Sequence, residues 1–255
     1  MTVASATGKV LGMSIQCLLL NLDFIKYEDA LALQRELVAA RIAGFDREVL
    51  FLLEHEPVIT LGRRGTFDDI LINDDGLNAQ GVSVHRVERG GLATYHGPGQ
   101  LVTYPIFSLN RFRLTVPELV RRLEEAAIQC LNEYGISAGR HEGHPGVFYL
   151  GKKLASIGLS IKGGISMHGI ALNVAPNLDH FALINPCGLT GSDITSMARL
   201  MAQESDRPVD VAEVRKTFLN ALIKVFDLKI ENWTLDAAKR IAKEYDQTQP
   251  QTALA

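Results

Sequence analysis

Cysteine is scarce in this chain. Three are spread through 255 residues, and an odd number with wide spacing gives no disulfide framework, so the sequence predicts a reducing compartment, the cytoplasm. Long apolar runs are missing too. No window approaches the roughly 18 continuous apolar residues of a membrane span, and the apolar stretch near the N-terminus is interrupted by Gln16. It lacks an early basic region and a small-residue cleavage site, and reads as no signal peptide. There is no long Lys/Arg run, and the formal net charge is -3, which disfavours nucleic acid as the main partner. Internal repeats are absent as well. What remains is ordinary globular material, 47% hydrophobic and 22% charged, enough to build one sizeable core.

Periodicity and punctuation predict a strand over Met13 to Leu20 and a helix over Tyr27 to Ile42 closed by Gly44. Further strands are predicted over Val49 to Leu53, Pro57 to Leu61, Ser83 to Val87, Leu101 to Phe107, Leu154 to Ile161 and Ile165 to Val174. Thr115 and Glu118 have capping-box spacing and open a helix to about Tyr134. Asp210 and Thr234 open two more, through Val225 and Tyr245. Strands and helices do not alternate strictly, so the fold class is mixed α+β, not a doubly wound parallel sheet. Residues 1–207 form the main domain, 208–246 a helical C-terminal segment of it, and 247–255 a disordered polar tail.

Among the cysteines, Cys17 alternates within a strand and Cys130 lies near the apolar stripe of a helix, so both are expected as unreactive core. Cys187 differs, standing in a loop between Pro186 and Gly188, where regular ladder pairing fails and backbone N–H groups are exposed. That pentapeptide alone leaves a half-buried structural thiol and a reactive one equally open. The run from Arg89 to Gln100 holds four glycines in twelve residues. It suits either a ligand-cradling loop, with Arg89, Thr94, His96 and Gln100 as polar groups, or an elaborate hairpin connection.

Two motifs are set aside. Gly146 to Lys153 nearly matches a nucleotide-phosphate loop but lacks the final hydroxyl, and its middle is a bulky strand-forming run. His141 and His144 lack helical H-E-x-x-H spacing, so no metal site is expected.

Five segments together carry a resemblance: EHEPVITLGRRG (54–65), RGGLATYHGPGQLVTYPI (89–106), GKKLASIGLSI (151–161), MHGIALNV (167–174) and NPCGLTGSDITSM (185–197). In family order they resemble the lipoyl(octanoyl) transferases that begin protein lipoylation. The resemblance implies a biotin/lipoate protein ligase-like α+β fold, a mixed sheet flanked by helices. It also implies a reaction in which Cys187 takes an octanoyl group as a thioester from octanoyl-acyl carrier protein, with Lys153 activating it. The acyl pocket it implies comprises Arg89, Gly90, Gly91, Leu92, Ala93, Thr94, Tyr95 and His96, then Ser156, Ile157 and Gly158, then Gly169, Ile170 and Ala171.

The implied acceptors are lipoyl domains of 2-oxoacid dehydrogenases and the glycine cleavage H protein. The enzyme would act as a monomer, without cofactor or membrane. Lys152 adjoins Lys153, but register and strand alternation favour Lys153. Two other readings stay in play: an ATP-dependent lipoate-protein ligase, which needs no catalytic cysteine, and a non-catalytic module that binds lipoyl domains or acyl carriers.

Overall fold

The structure is a computed structural model that describes residues 14–185, 191–202 and 209–247. Residues 248–255 of the polar tail, the first dozen residues and Cys187 lie outside the described residues, while Gln247, predicted as part of the tail, ends a helix. In chain order the strands are β1 (Ile15–Phe24), β2 (Glu48–Glu54), β3 (Val58–Leu61), β4 (Ser83–Arg86), β5 (Ala93–His96), β6 (Gln100–Ile106), β7 (Gly139–His141), β8 (His144–Tyr149), β9 (Lys152–Lys162), β10 (Ile165–Asn173) and β11 (Leu228–Asn232). The helices are α1 (Tyr27–Ile42), α2 (Asp74–Ala79), α3 (Leu109–Phe112), α4 (Val116–Asn132), α5 (Met197–Met201), α6 (Val211–Phe226) and α7 (Leu235–Gln247).

Eight described strands form a mixed sheet in the order β11-β1-β2-β6-β10-β9-β8-β7, and a smaller sheet runs β4-β3-β5. Strand alternation sorts the core into two layers. Val49, Phe51 and Leu53 of β2 face α1 and α7, whereas Leu50 and Leu52 face α4 and α6. The Thr115 and Glu118 side chains form both halves of the box that opens α4. Helix α1 starts differently, since Lys26 provides no side-chain cap. Instead the Glu56 carboxylate accepts the Tyr27 N–H at 3.0 Å.

Four strands fall outside the strands predicted from sequence, β5, β7, β8 and β11, with β7 and β8 pairing where His141 and His144 read as a loop. The segment after Pro208 contains β11 as well as its helices, and β11 pairs parallel with β1 at the sheet edge. Only Leu228 of β11 is buried, so its sequence carries no apolar alternation. Strand β5 lies inside the glycine-rich run and pairs antiparallel with β3. Four residues between glycines gave no strand signal. The near-match to a phosphate loop is the β8–β9 hairpin, with no helix after it. Cys17 and Cys130 are fully buried. Burial pushes the Cys130 thiol up to about 12 and raises that of Cys17 further. Among the described residues no helix is long and apolar enough to cross a membrane.

Candidate active site

The large sheet contains a proline in an interior strand, and the site is built around the consequence. Pro105 of β6 has no N–H to offer β10, and the β6–β10 ladder runs from Asn173 only as far as Ile170. Beyond that point His168 adopts a left-handed backbone, φ +57°, which non-glycine residues rarely accept. The Gln34 side chain of α1 receives its N–H at 2.8 Å. The kink presses Gly169 against β6, so that a Cβ there would overlap the Thr103 carbonyl and stand 2.9 Å from Pro105 Cδ.

Between the kinked strand and the glycine-rich run lies a cavity with about 620 Å³ of empty space, its open mouth included. Arg89, Gly90, Gly91, Ala93, Thr94 and His96 line one wall. Lys153, Ser156, Ile157 and Gly158 from β9 line another, with Gly169, Ile170 and Ala171 from β10. Leu92 and Tyr95, placed in the pocket by resemblance, are not among the lining residues. Tyr95 points into the core of the small sheet, beside Phe181. Leu92 contributes its carbonyl to the Gly62 N–H at 3.0 Å.

Tyr27, Val102, Tyr104, His168 and Ile194 complete the lining, and the sequence reading had assigned none of them to it. The alternation Val102-x-Tyr104, on the face of β6 that also meets α1, is the signal that could have found two of them.

Arg89 is buried, and its guanidinium is spent on the loop. Nε donates to Thr60 Oγ1 at 3.1 Å, Nη1 to the Gly90 carbonyl at 3.0 Å and Nη2 to the Leu92 carbonyl at 2.9 Å. It holds the glycine-rich run in shape from inside. Gly62 allows the close approach, because a Cβ there would come 2.6 Å from the Gly91 carbonyl oxygen. From the other end, Glu54 accepts the Gly99 N–H at 2.8 Å and binds Arg215 of α6 at 3.1 Å. The loop is thereby tied to α6.

Lys153 is 7% exposed and turned inward, whereas Lys152 is exposed. The Lys153 ammonium lies 5.2 Å from the Phe148 ring centroid, over its face, an arrangement that favours a cation. Its backbone bridges Ile194, and its carbonyl accepts the Thr195 N–H at 3.0 Å. Upstream of Cys187, the Asn185 N–H bonds the Asp69 carbonyl at 2.8 Å and Ile184 bridges Ile70. Described residues on both sides of 186–190 are therefore fastened to the small sheet's surroundings and to the lysine strand.

Behind the cavity, aromatic and imidazole rings form a cluster. Tyr27 stacks on His96 with centroids 5.9 Å apart, and His55 accepts from the Tyr104 hydroxyl at 2.8 Å. Burial drives His96 down to about 3 and His55 to about 4. Both folded values lie below the unfolded value near 6.5, so the unfolded chain takes up protons first as pH falls. Their contribution is intact above about 6.5 and is lost progressively toward 3 to 4. We expect each pH unit below about 6 to remove up to about 1.4 kcal/mol per histidine, read as a falling urea midpoint. His96→Phe should flatten that fall, and an unchanged slope would refute the assignment.

The glycines of the cavity divide in a testable way. Gly91 has φ +93°, so valine there would strain the backbone whatever the ligand does. A Cβ on Gly90 meets only the Leu159 carbonyl oxygen, at 3.7 Å. Gly90→Ala should leave the melting temperature nearly unchanged while narrowing the cavity. Gly169→Ala should cost about 1–3 kcal/mol through overpacking. Parallel thermal melts check both, and equal melting temperatures would contradict the geometry.

The lipoyl protein ligase A/B catalytic domain matches residues 26–223, and the chain belongs to that family. Among its relatives, the octanoyltransferase of Caldicellulosiruptor saccharolyticus is 45% identical over 77% of this chain and 85% of its own length. The octanoyltransferase of Gloeobacter violaceus is 40% identical over 87% and 96%. In fold the chain is similar to lipoate-protein ligase A bound with ATP, with a TM-score of 0.71 at 18% identity over 94% and 97% of the two chains. The bipartite lipoate protein ligase of Thermoplasma acidophilum gives 0.67 at 18%, over 92% and 93%. The fold is accordingly the lipoate protein ligase one, an α+β domain with a mixed sheet flanked by helices.

Proposed function

We propose that the chain is an octanoyltransferase that takes an octanoyl group from octanoyl-acyl carrier protein onto the sulfur of Cys187 and passes it to the target lysine of lipoyl domains. The reading is carried by Lys153: a buried lysine at the wall of a largely apolar cavity, on the strand that anchors the residues following Cys187. Octanoyltransferase relatives over most of the chain support the same chemistry. The acceptors are the lipoyl domains of 2-oxoacid dehydrogenases and the glycine cleavage H protein. The enzyme works in the cytoplasm, as a monomer.

In the first step the Cys187 thiolate attacks the carrier's thioester carbonyl. The new C–S bond forms as the old one breaks, and the phosphopantetheine thiolate leaves with a proton from the Lys153 ammonium. In the second step the acceptor lysine's amine attacks the acyl-cysteine. The C–N bond forms, the Cys187 thiolate departs, and the proton lost by the amine returns to Lys153. Thioester exchange is nearly balanced and amide formation is downhill, so no nucleotide is consumed. The octanoyl chain lies along β9 and β10, against Ser156, Ile157, Gly158, Gly169, Ile170 and Ala171, under the loop from Arg89 to His96.

The deciding test is incubation with octanoyl-acyl carrier protein in the absence of ATP, followed by intact mass. One octanoyl mass, removed by hydroxylamine, is expected. An absolute requirement for ATP would point to a ligase, and binding without any adduct to a non-catalytic module.

A further inference from the structure

Five buried residues in and behind the cavity wall form one hydrogen-bonded chain, and the transfer scheme above uses none of its bonds. His96 Nδ1 lies 2.7 Å from Gln100 Oε1, Gln100 Nε2 donates to Asn173 Oδ1 at 2.9 Å, and Asn173 Nδ2 donates to the Thr195 carbonyl at 3.0 Å. The Thr195 N–H closes on the Lys153 carbonyl at 3.0 Å. All five residues are 7% exposed or less.

The direction of this chain is forced. A carbonyl oxygen can only accept, so Asn173 must turn its Nδ2 toward Thr195 and its Oδ1 toward Gln100. Gln100 must then meet Asn173 with Nε2, which also reaches the Tyr95 carbonyl at 3.3 Å. That leaves Oε1 for His96, so His96 carries its proton on Nδ1. Its Nε2 is then the unprotonated nitrogen, an acceptor on a residue that lines the cavity. Burial keeps the ring neutral, at about 3, so the group receives a hydrogen bond rather than a proton.

We propose that Gln100 and Asn173 are positioning residues for the transfer reaction. Through this one-way chain they fix the tautomer His96 presents to the cavity, and Asn173 holds the carbonyl of Thr195, the residue whose N–H bonds the Lys153 carbonyl. A single network thereby sets two parts of the site: an acceptor suited to the N–H of an incoming amine, and the seat of Thr195 against the backbone of Lys153. The inference rests on the octanoyltransfer reading for its consequence but not for its geometry.

Two measurements separate these. In the wild-type chain labelled with ¹⁵N-histidine, the His96 ring should show the Nδ1–H tautomer by NMR. An Nε2–H tautomer would overturn the proposed polarity whatever the activity. Gln100→Met and Asn173→Leu keep size and remove polarity. Each should slow octanoyl-adduct formation and transfer about ten- to a hundredfold, with kcat falling more than KM changes. Should these variants not fold, Gln100→Glu still accepts from His96 and holds the same tautomer, so it should keep most of the activity that Gln100→Met loses, and an equal loss would overturn action through the tautomer.

In a His96→Phe background, Gln100→Met should cost nothing further at the amine-transfer step. Fully additive losses there would overturn action through His96. A wild-type chain with the expected tautomer but no octanoyl transfer would overturn the reaction assigned, and with it the catalytic half of this proposal.

Discussion

Cys187→Ala is expected to abolish the octanoyl adduct and to lower transfer to a lipoyl domain at least about a thousandfold, as removal of a covalent nucleophile does elsewhere. The other two thiols are poor replacements. Cys17 and Cys130 are buried in the layer beneath α4 and α6, and burial holds both in the uncharged form at neutral pH. A thiolate is the attacking species, so neither can take over. Alkylation of the native protein followed by peptide mass spectrometry should therefore modify Cys187 and spare the others. Retention of both adduct and transfer in Cys187→Ala would remove covalent catalysis through this residue.

Lys153→Met is expected to lower both half-reactions by about 10²–10⁴-fold, the usual worth of a positioned acid–base group. In the proposed mechanism it also removes an ammonium beside the Cys187 thiolate, and on that reading the midpoint of iodoacetamide labelling at Cys187 should move to higher pH. The sign follows from charge: a nearby cation stabilises the anionic sulfur, and methionine offers none. Lys152→Met should leave midpoint and rates unchanged, because its side chain is exposed while that of Lys153 is buried. If Lys152→Met moved the midpoint and Lys153→Met did not, the roles of the two lysines would be exchanged.

That Lys152 and Lys153 face opposite ways was legible in the sequence. Alternation in a strand is a period of two, and a motif register one residue long decides which side faces in. Helix α1 likewise follows its apolar spacing from Tyr27 to Ile42, and α4 its capping box. Less legible was anything set by a distant partner. The left-handed turn at His168 answers a proline 63 positions earlier, in a strand that is its neighbour only in the fold. Nothing local in MHGIALNV announces it. Leu92 and Tyr95 were assigned to the pocket as members of a contiguous motif, yet β5 sends Tyr95 into the small sheet's core. A motif identifies a stretch of chain, and strand geometry then divides it between ligand and core.

The pairing of β11 with β1 bears on how the chain is made. Ser14 and Asp227, bonded at the start of that pair, stand 213 positions apart. During synthesis β1 can join β2 as soon as the first 54 residues are out, but its other edge stays open until β11, Leu228–Asn232, has emerged. An unpaired strand edge invites other chains, and contacts this far apart in sequence form slowly. A truncation before Leu228 would leave that edge open for good. It should raise aggregation during expression even though the cavity, walled by residues between Tyr27 and Ile194, keeps every one of its side chains.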